Sequence, residues 1–160
     1  MNNINYSLSL KVANYLKSKN RTLAIAESCT GGGLATEITA VSGASAYFDR
    51  GFVTYTNEAK QELLDVPQAA LDQHGAVSAE VAKAMAEGVL AHSRADIALS
   101  ITGIAGPAGG TADKPVGLVW FALAERGGSV EAREAYFGGG RKQIRRLSIG
   151  FALEWILEVE

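Results

Sequence analysis

Residues 95–101 (Ala-Asp-Ile-Ala-Leu-Ser-Ile) form an apolar run broken only by Asp96 and Ser100. A run without strict polar alternation fits a strand buried on both faces, and such a strand needs a covering layer on each side. The rest of the chain supplies helices for those layers. Leu8, Leu10, Val12, Ala13 and Leu16 mark the inward face of an opening amphipathic helix with lysines around it. Residues 22–28 read as a short apolar strand, 34–41 as a helix, and 47–56 as an aromatic, β-branched strand. A short helix follows over 57–64, and Pro67 starts a further turn or helix. Ser78 is the expected N-cap of an alanine-rich helix over 79–92, with Val77 as its hydrophobic staple. Residues 116–124 and 130–137 read as a hairpin turning at Arg126-Gly127-Gly128, and 141–157 close the chain as a helix with Leu147, Phe151, Leu153, Trp155 and Ile156 inside. Trp120 reads as core as well. The order α-β-α-β-α-α-β-β-β-α predicts a single α/β domain over residues 1–160. Its expected form is a three-layer α/β/α sandwich with a mixed, mostly parallel five-stranded sheet.

The charge balance narrows the function. Fifteen basic against seventeen acidic side chains leave a net charge of −2. No basic stripe dominates any element, which argues against a nucleic-acid partner. The apolar runs are too short to span a bilayer, and the N-terminus has no basic region leading into an apolar one, so no membrane and no signal peptide are expected. The lone cysteine, Cys29, forms no intrachain disulfide, and a reducing cytoplasm is the expected compartment. The apolar and aromatic strand content is compatible with a homo-oligomer.

Three glycine-rich stretches end predicted strands: Ser28-Cys29-Thr30-Gly31-Gly32-Gly33, Thr102-Gly103-Ile104-Ala105-Gly106-Pro107 and Phe137-Gly138-Gly139-Gly140-Arg141. Glycine permits close backbone approach to a ligand, and two of these stretches run into a helix, whose N-terminus favours an anion. The first and second lie at the carboxyl ends of strands, where open sheets bind ligands. A polar, phosphorylated small molecule is the expected ligand. Neither a G-x-x-x-x-G-K-[ST] nor a G-x-G-x-x-G pattern occurs, which disfavours a nucleoside triphosphate or dinucleotide cradle. Cys29, His74 and His92 have no metal-ligand spacing, so neither a metal nor another cofactor is called for.

Among titratable groups Lys60 stands out, because a lysine near a helix start is lowered in pKa by the positive end of the dipole. A neutral lysine is a general base with serine as a partner. Ser42 and Ser45 precede the aromatic strand; Ser28 ends the first strand, where capping and hydrogen bonding to a ligand are its expected roles, shared with Thr30. Arg141 and Arg145 share a face at the start of the last helix and suit a phosphate, with a solvated basic face as the plainer reading.

Six stretches together resemble the CinA C-terminal domain family: Ala26–Gly32, Phe48–Tyr55, Asn57–Lys60, His74–Ser78, Thr102–Pro107 and Lys114–Gly117. The resemblance runs from about Leu8 to Ile156. It implies metal-free hydrolysis of the carboxamide of nicotinamide mononucleotide, giving nicotinate mononucleotide and ammonia. It further implies a serine–lysine arrangement that maps to Ser45 and Lys60, with Tyr55 against the pyridinium and Thr102 orienting the serine or the amide. Ser28, Thr30, Gly31, Gly32, Gly103, Ala105, Gly106 and Arg141 would bind the ribose and phosphate. The alternatives are a non-catalytic nucleotide-binding domain linked to competence or DNA damage, and an amidase or esterase for another phosphorylated small molecule.

Overall fold

Large and small side chains alternate along the central strands, and this alternation sets the layers. Leu23, Ile25, Leu99, Ile101, Phe121 and Leu123 belong to one core, while Ala24, Ala26, Ala98, Ala122 and Ala124 belong to another. Successive strand residues point to opposite faces, so one face of the sheet is bulky and the other is shallow. The computed structural model describes residues 3–160. In chain order the elements are α1 (Ile4–Lys19), β1 (Leu23–Glu27), α2 (Gly33–Thr39), a 3-10 turn (Ala44–Ala46), β2 (Phe48–Val53), α3 (Asn57–Leu64), α4 (Gln68–His74), α5 (Ala79–Ala91), β3 (Ile97–Gly103), β4 (Leu118–Glu125), β5 (Val130–Tyr136) and α6 (Arg141–Ile156).

The five strands lie in the order β2-β1-β3-β4-β5. β1 pairs parallel with β2 and with β3, whereas β4 is antiparallel to both β3 and β5. Four strands therefore point one way and β4 opposes them, as the mixed sheet expected from the sequence requires. Helices α1, α2 and α6 cover the bulky face, contributing Val12, Leu16, Leu34, Ile149 and Leu153. Helix α5 covers the alanine face with Val81, Met85 and Val89. The shallow alanine surface lets α5 lie close: the Ser100 hydroxyl donates 2.6 Å to the Ala82 carbonyl across the contact. On its outer side α5 meets α3 at Gly88, where a Cβ would sit 2.1 Å from the Leu64 carbonyl oxygen.

Ser78 caps α5 as expected, its Oγ accepting from Val81 N–H at 3.2 Å. Leu10 and Leu147, expected inside, are exposed, and Trp120 is only partly buried. The strand expected from Val116 begins at Leu118, because Gly117 takes a φ of +99° and turns its N–H to the Ile104 carbonyl. No helix among the described residues is long and apolar enough to cross a membrane.

Candidate active site

Since β1, β2 and β3 run parallel, the segments leaving their carboxyl ends emerge at one edge: Glu27 pairs with Val53 on one side and Ile101 on the other. Ser28 follows β1 and is held by its N–H to the Ile101 carbonyl at 3.0 Å. Thr54 follows β2, with its N–H on the Glu27 carbonyl at 2.9 Å. Lys60, the fourth residue of α3, turns back toward both. Its Nζ lies 2.8 Å from the Thr54 carbonyl, 3.3 Å from the Tyr55 carbonyl and 3.0 Å from Ser28 Oγ.

Lys60 is 1% exposed, and among the described residues no carboxylate pairs with it. An ammonium in that position loses its hydration without gaining a counter-ion, so burial lowers the amine from 10.5 to about 8. Burial is the principal cause, in place of the helix terminus invoked from the sequence. Cys29 next door opposes the drop only when ionised, and burial pushes its thiol up to about 11, so it is uncharged where Lys60 titrates. A neutral amine has two N–H donors and one lone pair. The ammonium donates to all three oxygens; once the amine is neutral the two carbonyls keep its donors, and the lone pair is left for the Ser28 hydroxyl. The alternative acceptor for the Ser28 hydroxyl, the Tyr55 carbonyl, is farther away at 3.4 Å.

This pair opens onto a cavity of about 280 Å³ lined also by Cys29, Tyr55, Ala76, Val77, Thr102, Arg141 and the stretch Gly103–Gly106. Arg141 spans two sides of it: Nη1 donates 2.8 Å to the Gly106 carbonyl and Nη2 donates 3.1 Å to the Tyr55 hydroxyl. Thr102 Oγ1 donates 2.9 Å to the Ala76 carbonyl, so that hydroxyl holds a wall of the cavity in place. Glycine at 103 and 106 is required first by packing: a Cβ would come 2.7 Å from Val119 Cγ2 at Gly103 and 2.4 Å from Val116 Cγ1 at Gly106.

Two expectations are corrected by these positions. Ser45 sits in the 3-10 turn ahead of β2, whereas Lys60 reaches residues that follow β2. The six residues of β2, at ~3.3 Å each, put about 20 Å between them. Ser45 lines a separate depression with Thr22, Phe48, Asp49 and Arg94. The serine that Lys60 meets is Ser28. Secondly, Thr30, Gly31 and Gly32 do not line the cavity. The start of α2 already holds an anion of the chain's own. Gly32 has no side chain to cap the helix, and the buried Glu27 carboxylate does so from β1. Its Oε1 accepts from Leu34 N–H at 2.8 Å and from the Thr30 hydroxyl at 2.6 Å, and its Oε2 accepts from Ala35 N–H at 3.1 Å. Ser28 and Thr30, expected to cap, leave that role to Glu27, which sequence reasoning missed. The available signal was a carboxylate ending an apolar strand just ahead of an uncapped glycine turn.

Arg145, one turn beyond Arg141, donates 3.2 Å to the Thr30 carbonyl instead of entering the cavity. His92 Nε2 lies 2.6 Å from Asp65 and His74 Nδ1 3.7 Å from Glu80, outside the cavity. Among the described residues no three His, Cys, Asp or Glu side chains gather as a metal site.

The model of the CinA C-terminal domain family matches residues 5–159. The chain is 49% identical over 152 residues to the nicotinamide-nucleotide amidohydrolase PncC of Enterobacter agglomerans, covering 95% of this chain and 93% of that protein. It is 50% identical over 147 residues to the protein of the same name from Escherichia coli K12, covering 92% and 89%. The match to a CinA-like protein of Geobacter sulfurreducens is 51% over 150 residues, which is 94% of this chain but 36% of that longer protein. Among solved structures, the competence/damage inducible protein CihA of Agrobacterium tumefaciens superposes with a TM-score of 0.94 at 44% identity, covering 96% of this chain and 94% of that one.

Proposed function

The chain belongs to the CinA C-terminal domain family, and from that membership we propose that it is a nicotinamide-nucleotide amidohydrolase. Its substrate is nicotinamide mononucleotide, which it converts to nicotinate mononucleotide and ammonia as a step of pyridine nucleotide salvage. The observation that carries the reading is the buried Lys60 amine against Ser28 Oγ at the cavity, in a chain about half identical to relatives of that name over nearly their whole length.

The chemistry is metal-free serine–lysine hydrolysis. Ser28 Oγ adds to the carboxamide carbon while neutral Lys60 takes its proton. The lysine ammonium hands that proton to the amide nitrogen as the C–N bond breaks, and ammonia leaves. Water then adds to the nicotinoyl ester with Lys60 as base, and the proton returns to Ser28 Oγ as nicotinate mononucleotide departs. Main-chain N–H groups of Ala105 and Gly106 on the cavity wall stabilise the oxyanion, the Ile104 N–H being held by the Leu118 carbonyl, and each such donor is worth about 3 kcal/mol. Tyr55 packs on the pyridinium, and Arg141 at the cavity mouth meets the phosphate. That remote contact helps to orient the amide for attack.

Purified protein should release ammonia from nicotinamide mononucleotide, and chelator should leave the rate unchanged. Nucleotide binding without ammonia release would favour a regulatory domain, a role in keeping with the name of the competence/damage inducible protein of Agrobacterium. Hydrolysis of a different phosphorylated amide or ester would keep the dyad and change the substrate.

A further inference from the structure

Two stretches singled out in the sequence, His74–Ser78 and Lys114–Gly117, have no part in the chemistry above, yet they meet in space. Neither of the walls they serve is regular secondary structure. Ile104, Ala105 and Gly106 lie in the long segment between β3 and β4, and Ala76 and Val77 lie in the link between α4 and α5. The two segments are joined by Lys114, whose Nζ donates to the His74 carbonyl.

Lys114 is well placed to hold. Its own backbone is fixed by a reciprocal pair, Thr111 N–H to the Lys114 carbonyl at 2.8 Å and Lys114 N–H to Thr111 Oγ1 at 3.0 Å. The base of the segment is closed by Ile104 N–H to the Leu118 carbonyl at 2.9 Å and Gly117 N–H to the Ile104 carbonyl at 2.8 Å. The residue is half-buried, its bond to the His74 carbonyl lies at the surface, and among the described residues no carboxylate pairs with it. The α4–α5 link is thus held at two points, by Thr102 at Ala76 and by Lys114 at His74. Glycine at 75 makes room for the second: φ there is +74°, and a Cβ would lie 3.1 Å from Lys114 Nζ.

We infer that Lys114 is a positioning residue that sets the width of the substrate cleft by fastening the β3–β4 segment to the α4–α5 link. A charged donor on a main-chain carbonyl is stronger than a neutral bond, and here it ties the two loops to each other, the Thr102 bond tying the α4–α5 link to β3 instead.

The test compares Lys114→Met, which keeps the stem and removes the donor, with Lys114→Arg, which restores one. The first readout is hydrogen exchange, which needs no turnover. Lys114→Met should speed exchange at least threefold in both 74–78 and 104–117, and Lys114→Arg should return both most of the way. Unchanged exchange, or faster exchange in 104–117 alone, overturns the clamp. The second readout rests on the deamidase reading: with nicotinamide mononucleotide, Lys114→Met should raise KM about fivefold with kcat within twofold. A fall in kcat at constant KM overturns the positioning role. A wild-type protein that releases no ammonia refutes the deamidase reading alone and leaves the exchange result to decide the clamp.

Discussion

If Lys60 is the base, turnover must follow the neutral fraction of one amine. Burial places that amine at about 8 in the free protein. The neutral form is then about one part in eleven at pH 7 and about one in a hundred at pH 6. At limiting nicotinamide mononucleotide, kcat/KM should rise nearly tenfold per pH unit up to about 7.5 and level off above 8.5. In the complex the pyridinium cation lowers the amine while the phosphate dianion of the same substrate raises it, so the acid limb of kcat reads the balance of the two. Ammonia release at constant ionic strength between pH 6.5 and 9.5 measures kcat/KM, above the second ionisation of the phosphate near 6. A flat kcat/KM profile over that range, or a midpoint near the ordinary lysine value, would refute the reasoning.

Other perturbations have defined outcomes. Lys60→Met removes a buried ammonium without a counter-ion but also strips the Thr54 and Tyr55 carbonyls of their donor, so stability at pH 7 should change by less than about 2 kcal/mol while turnover is abolished. The folded-state pKa lies below the unfolded one, so the variant stands best against the unaltered protein below pH 8 and loses that advantage progressively up to 10.5, and urea melts at either end of the window would show it. Glu27→Gln turns an amide nitrogen toward an N–H of α2 and should cost about 1–3 kcal/mol, visible as a lower Tm. Gly88→Ala forces α5 away from the Leu64 carbonyl on α3; a loss of about 1–3 kcal/mol is expected, with a fall in kcat because Lys60 rides on α3.

The layer order was legible because it follows from periodicity: the run at 95–101 demanded two covers, and the helical faces flanking it supplied them. Lys60 was legible as an unusual lysine, although its cause was not, since burial is a property of the folded chain. The sequence paired Lys60 with Ser45, whereas the structure puts Ser28 beside it, for a topological reason. Ser45 is nearer to Lys60 in sequence than Ser28 is, but a strand delivers the residues before it to one edge of the sheet and the residues after it to the opposite edge. Segments that leave the parallel strands β1 and β2 share an edge, and that rule alone selects Ser28. The role of each glycine stretch was not legible, because a glycine needed for ligand approach and one needed for packing look alike in sequence. Gly103 and Gly106 make room for Val119 and Val116, and the turn at Gly31 and Gly32 leads into a helix start occupied by Glu27. Arg141 was legible as a basic residue just past a glycine run; its bridge between Tyr55 and Gly106 was not, because the three meet only through the sheet.

The proposed chemistry depends on Ser28, and not Ser45, being the hydroxyl that attacks the amide. Ammonia release under saturating nicotinamide mononucleotide, measured for Ser28→Ala and Ser45→Ala, tests this most directly. Ser28→Ala should lose about a thousandfold or more in kcat and still bind the nucleotide, with Ser45→Ala within about threefold of the unaltered protein. An active Ser28→Ala beside an inactive, folded Ser45→Ala would contradict it.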